Sequence, residues 1–196
     1  KFIRYVNPDI FIIADAKRGD IGNSTEMYAR AFLDNFGFDA VTVSPYMGFD
    51  SVHPFLQRQG KWVILLAMTS NKGADDFQFQ RIKESGEYLF ETVIKTSALL
   101  GTPDNMMFVA GATRPEMIRQ IRKLIPDHFL LIPGIGTQGG NLDEVSQYGL
   151  NSKCGLLVNA SRSIIFADHS ENFAAIACLK ASELQKEMEV ILKKSL

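Results

Sequence analysis

A lysine bracketed by two carboxylates closes an apolar run near the start of the chain, in the segment ADAKRGDIGNS, residues 14–24. Asp15 and Lys17 are two residues apart, a spacing that turns both side chains to one face of a strand. Asp20 follows in the turn before a helix. A surface ion pair and an acidic helix start would account for the same letters, with Asp20 beside the helix dipole and Asn23 with Glu26 spaced as a capping box. Position argues for more, because an ionised pair at the end of the apolar run Ile10 to Ala14 is expensive to desolvate without a purpose. An ammonium between two anions is poorly suited to Schiff-base chemistry, which needs a neutral amine. It is well suited to act as a fixed cation and proton donor. The tripeptide Arg18 to Asp20 also spells an adhesion signal, a reading set aside for a loop at the end of an apolar strand.

A second cluster points to an anion. Residues 133–140 read PGIGTQGG, with four glycines in eight positions. Such a loop, Gly136 included, lets backbone N–H groups approach a phosphate closely, although glycines can also make nothing more than a tight turn. The next apolar run ends in NASRSI, which stands Arg162 beside that loop as a charged fork for phosphate. Together the two features predict a phosphorylated substrate.

The elements that must carry these groups alternate with few interruptions. Six short apolar runs stand out, Ile10 to Lys17, Ala40 to Tyr46, Trp62 to Thr69, Met106 to Ala112, His128 to Gly136 and Cys154 to Ser161. Being apolar throughout rather than alternating, they suit parallel strands covered on both faces. Helical spacing covers Ser24 to Phe36, Arg81 to Leu100, Pro115 to Leu124 and Glu171 to Lys194, with Pro115 at a helix start and Gly37 past a helix end. Asn71 to Phe79 fits a flap or an ordinary loop.

Every polar cluster follows the C-terminal end of a run, where barrel enzymes place their sites, so the fold predicted is α/β, a TIM (β/α)8 barrel. About six of the eight units are present. A barrel of this kind has roughly 250 residues, and the sequence opens with Lys1 rather than Met. We therefore expect one barrel domain over residues 1–196 with its first two β/α units missing. The PGIGTQGG and Arg162 segments then follow the seventh and eighth strands, whose loops frequently bind phosphate.

Composition limits the partners. The 21 basic residues nearly cancel the 22 acidic ones, leaving no electrostatic footprint for nucleic acid or an anionic membrane. No apolar stretch approaches the ~20 residues of a membrane span, and the first residues lack a signal-peptide core. Cys154 and Cys178 read as reduced, buried thiols of a cytoplasmic protein. His53, His128 and His169 are too scattered to suggest a metal site.

The motif D-x-K-x-x-D-I-G-N at residues 15–23, the PGIGTQGG loop and the arginine after the last strand, together with VSPYMGFDS and LLAMTSNKG, resemble the orotidine 5'-monophosphate decarboxylase family. The likeness runs in order from about residue 10 to residue 166 and is closest to the branch reading DAKRGDIGN. It implies decarboxylation of orotidine monophosphate to UMP in pyrimidine synthesis, without metal or organic cofactor, in a homodimer. By the same resemblance Lys17 protonates the ring carbon left by carbon dioxide and Asp15 lies near the departing carboxylate. Asp20 and Ser24 reach the neighbouring subunit's site. Thr69 or Ser70 bonds the pyrimidine edge, and Gln138 with Arg162 holds the phosphate.

The family often has Thr where Ser24 stands and Gly where Ser161 stands. Its second active-site lysine and a ribose-binding aspartate come from two strands that this sequence lacks. Two other readings compete. One is a metal-dependent sugar-phosphate lyase or aldolase of the same barrel superfamily, which can use an Asp-x-Lys-x-x-Asp strand end. The other is a truncated, non-catalytic fragment that binds a phosphorylated ligand.

Overall fold

The computed structural model of the chain describes residues 2–135 and 140–195. Its strands are β1 (Ile13–Arg18), β2 (Ala40–Val43), β3 (Trp62–Met68), β4 (Met106–Ala110), β5 (Phe129–Pro133) and β6 (Leu156–Asn159). They stand in one sheet in sequence order, and the pairs β1–β2, β2–β3 and β5–β6 are parallel. A doubly wound sheet reverses its strand order at a switch point. This order never reverses, which is the winding of consecutive barrel units.

The helices are α1 (Phe2–Val6), α2 (Gly22–Ala29), α3 (Phe49–Leu56), α4 (Ala74–Phe77), α5 (Leu89–Ala98), α6 (Pro115–Leu124), α7 (Leu142–Gly149), α8 (Arg162–Ile165) and α9 (Phe173–Ser195), with a π-helical continuation of α2 over Arg30–Asn35. Among the described residues no helix is long and apolar enough to cross a membrane.

Several expectations shift. The helix expected from Arg81 begins at Leu89, because Arg81 pairs in an antiparallel bridge with Tyr88 and stacks its guanidinium 4.2 Å from that ring. The Asn23–Glu26 capping box does not form: α2 starts at Gly22 with Ile21 as its N-cap, and Glu26 instead pairs with Arg58. Asn71 to Phe79 contains the short helix α4, tied down where Arg114 pairs with Asp75 at 2.8 Å and lies 3.8 Å from the Phe79 ring centre. The cysteines are free but not buried, Cys154 being half-exposed and Cys178 exposed. Three helices went unremarked in the sequence, the four-residue α8, α3 with its internal Pro54, and α7. The last is capped by Asn141, whose side chain accepts from the Asp143 and Glu144 amides.

The chain divides into two compact units, residues 1–66 with 96–107, and residues 67–95 with 108–196. The first is built on Val41, Val43, Val63, Ile64 and Leu65 of the strands, covered by Ala29, Leu33, Val52 and Phe55, all fully buried. Arg58 draws its helices together, bonding Glu26, Asp34 and the Pro54 carbonyl.

In the second unit Phe108, Leu130 and Ile132 pack under Phe90, Ile94, Ile118, Ile121 and Val145. Arg122 staples the strand entrances there. Its guanidinium donates to the carbonyls of Ile125, Pro126, His128, Gly149 and Gly155 at 2.6–3.1 Å. Burial lowers its pKa to about 10, so it stays charged at neutral pH.

Candidate functional site

The end of β1 departs from regular pairing. Ile13 and Ala14 face Ala40 and Val41, but the next registered partner is Arg18 with Val43, so three residues of β1 stand opposite Thr42 alone. Lys17 accommodates the extra length at φ +46°, a conformation that L-residues adopt only when their surroundings hold them there. Bulges of this kind re-aim side chains next to active sites. Here Lys17 Nζ donates to both carboxylate oxygens of Asp15 at 2.6 Å, as their two-residue spacing predicts.

Thr42 completes the arrangement. Its hydroxyl accepts from the Lys17 amide, which the bulge deprives of a ladder partner, at 2.9 Å, and donates to Asp15 Oδ1 at 3.0 Å. It is 1% exposed in a strand that otherwise reads Ala-Val-Val. Sequence reasoning passed over Thr42, although a lone hydroxyl inside an apolar strand was the available signal.

Two expectations about this cluster need correcting. The Asp15–Lys17 pair is not desolvated within the described residues, since the side chains remain 64% and 55% exposed. Asp20 does not share in clamping the lysine. Its carboxylate accepts from the adjacent Ile21 amide at 2.8 Å. Ser24, in the first turn of α2, is exposed.

Thr69 and Ser70 directly follow β3. The Thr69 hydroxyl donates to Asn71 Oδ1 at 2.6 Å and accepts from Gln78 Nε2 at 2.8 Å. Ser70 Oγ is buried with no partner among the described residues. Arg162 opens α8 just beyond β6 and is exposed, its guanidinium in no hydrogen bond or ion pair among the described residues. Gly136 and Gln138 lie outside the described residues. Beside that segment a cleft of about 560 Å³ is lined by Ile135, Gly140, Asn141, Ser163, Lys180 and Glu183. Among the described residues no three His, Cys, Asp or Glu side chains are grouped to hold a metal ion.

Parallel strands wound in sequence order, with polar groups following their C-terminal ends, are the architecture of the (β/α)-barrel enzymes. Residues 1–176 match the model of the orotidine 5'-phosphate decarboxylase / HUMPS family. The chain is 55% identical over 193 residues to the orotidine 5'-phosphate decarboxylase of Porphyromonas gingivalis, covering 98% of this chain and 70% of that protein. It is 56% identical over 196 residues to the enzyme of the same name from Bacteroides fragilis, covering 98% and 71%. Among solved structures, the OMP decarboxylase of Leishmania donovani superposes with a TM-score of 0.83 at 34% identity, covering 96% of this chain and 71% of that one. The chain belongs to the orotidine 5'-phosphate decarboxylase family.

Proposed function

We propose that the chain decarboxylates orotidine 5'-monophosphate to UMP in pyrimidine synthesis, with Lys17 as the cation and proton donor. The observation that carries the assignment of roles is the bidentate Asp15–Lys17 pair, held on a β-bulge by Thr42. Loss of carbon dioxide from this ring leaves an sp2 carbanion with no conjugated sink, which calls for a barrier reduction of roughly 20 kcal/mol. Repulsion between Asp15 and the substrate carboxylate supplies only about 4 kcal/mol, taking a separation near 4 Å and an effective dielectric near 20. The larger share falls to the preorganised ammonium of Lys17, which meets the developing negative charge and then delivers a proton to the same carbon. Asp15 holds that ammonium in place and stands near the departing carboxylate.

Arg162 binds the phosphate as a charged fork, with Gln138 and the backbone of the glycine loop at Gly136. Ser70, rather than Thr69, bonds the pyrimidine edge, since the Thr69 hydroxyl is already committed to Asn71 and Gln78. Asp20 and Ser24 serve the site of a second subunit in a homodimer. Ile21, Met27, Tyr46 and Phe49, all exposed apolar residues of the same unit, suit such an interface. Cytoplasmic residence fits two free cysteines.

The decisive experiment is Lys17→Ala, assayed for carbon dioxide release and for thermal unfolding. Turnover falls by several orders of magnitude with the melting temperature little changed, because the side chain is largely exposed. Near-normal turnover would remove the assignment. Activity that survives EDTA separates this reading from the metal-dependent sugar-phosphate lyase.

A further inference from the structure

The loop after β3 contains a closed hydrogen-bond circuit that the reaction as described leaves unused. Gln78, at the C-terminal end of α4, reaches back so that its Oε1 accepts from the Thr69 amide at 2.8 Å while its Nε2 donates to Thr69 Oγ1 at 2.8 Å. A backbone N–H can only donate, so the side-chain amide has one consistent orientation. The Thr69 hydroxyl, accepting from Nε2, then directs its own proton to Asn71 Oδ1 at 2.6 Å. The Thr69 amide and hydroxyl are thereby both consumed within the loop.

Ser70 is left in the opposite condition. Its Oγ is buried with no partner among the described residues, a costly state unless something else satisfies it. Gly111, just past β4, makes room for it. A Cβ on Gly111 would stand 2.4 Å from Ser70 Oγ and 2.9 Å from Ser70 N, so no side chain fits there without moving the serine. Gln78 is itself anchored at both ends of its backbone, its amide donating to the Ala74 carbonyl at 2.8 Å and its carbonyl accepting from the Phe90 amide at 3.1 Å. The clamp is therefore tied to the buried start of α5 rather than to a free loop.

From this geometry we infer that Gln78 is a positioning residue, which by occupying Thr69 presents Ser70 Oγ to the pyrimidine edge and so decides which of two adjacent hydroxyls reads the base. The inference rests on the reading of Ser70 as the base contact. It assigns Gln78 no contact with the substrate. Its effect must pass through Ser70 and must be confined to ligands that carry the base.

The test compares Ser70→Ala, Gln78→Leu and the double variant in the protein expressed from its complete reading frame, measuring kcat/KM and the inhibition constants of UMP and ribose 5-phosphate. Gln78→Leu weakens UMP about tenfold, the scale of one lost hydrogen bond, and leaves ribose 5-phosphate unchanged. On the Ser70→Ala background the same change adds little, because two residues acting through one contact are not additive. Gln78→Glu, which keeps an acceptor for the Thr69 amide and can accept from its hydroxyl, restores most of the UMP affinity. Unchanged UMP affinity in Gln78→Leu, a loss that adds in full to Ser70→Ala, or an equal loss for ribose 5-phosphate overturns the positioning role while leaving Ser70 its own. Ser70→Ala that binds UMP as the wild type does removes the base contact and the inference together. Should Gln78→Leu not fold, Gln78→Asn, too short to span to Thr69, gives the same comparison.

Discussion

The Thr42 hydroxyl stands 3.0 Å from Asp15 Oδ1 and donates to it, from a position otherwise sealed inside β2. The same oxygen accepts from the Lys17 amide. One buried hydroxyl thus fixes both the orientation of the carboxylate and the backbone that carries the lysine. Replacing it with the isosteric Val leaves a backbone donor unpaired, a loss of about 1–3 kcal/mol in the precision of the pair or in stability. We expect Thr42→Val to lower kcat by roughly ten- to a hundredfold with KM little affected, since the bulge carries the groups proposed to react and not those proposed to bind phosphate. Steady-state kinetics decide it, and an unaltered kcat would deny Thr42 this role.

Arg162 should act on the other end of the substrate. Arg162→Ala weakens binding of UMP by roughly ten- to a hundredfold, as expected for a lost charge-assisted contact, and leaves binding of the phosphate-free nucleoside unchanged. Calorimetry on the two ligands separates the outcomes. An equal loss for uridine would mean that Arg162 supports the fold and not the phosphate.

His128 gives stability a predictable dependence on pH. The ring is buried, packs edge-on to Phe108 at 5.4 Å, and has neither nitrogen bonded among the described residues. Burial, and secondarily the nearby Arg122, hold its pKa below the ordinary 6.5, with Asp127 opposing weakly. The unfolded chain therefore binds the proton more readily than the folded one. The contribution is complete above the unfolded value and is lost as pH falls through the folded one. Urea midpoints near pH 7.5 and near pH 5 should differ more in the wild type than in His128→Phe, and equal differences would dismiss the residue as the cause.

Arg122 is the costliest side chain to remove outside the site. Arg122→Met takes the guanidinium away from five carbonyls, of which Gly155 keeps the Leu130 amide and Pro126 keeps the Asn151 side chain, and we expect a loss of about 3 kcal/mol, read as a fall in the urea midpoint. Arg122→Lys should recover little, because a single ammonium cannot span acceptors spread around a planar guanidinium.

Much of the architecture was legible in the letters. Five of the six strands fall inside their apolar runs and β1 overruns its own only at Arg18, because a strand covered on both faces is apolar along most of its length, and that demand leaves a nearly uninterrupted signature. The Asp15–Lys17 pair was equally legible, since a spacing of two is a local property of extended chain. What could not be read was set by residues distant in sequence. The bulge that turns Lys17 to positive φ depends on Thr42 lying opposite it. The commitment of the Thr69 hydroxyl depends on Gln78 folding back, and the placement of Ser70 depends on Gly111 leaving space beside it. Asp20 was expected to clamp the lysine on proximity along the chain, yet its carboxylate found the nearer Ile21 amide. Residue types and local periods determined which groups were available and which strand ends carried them. Only the tertiary structure decided which hydrogen-bond partners each polar group took, because those partners come from strands and loops that the chain brings together when it folds.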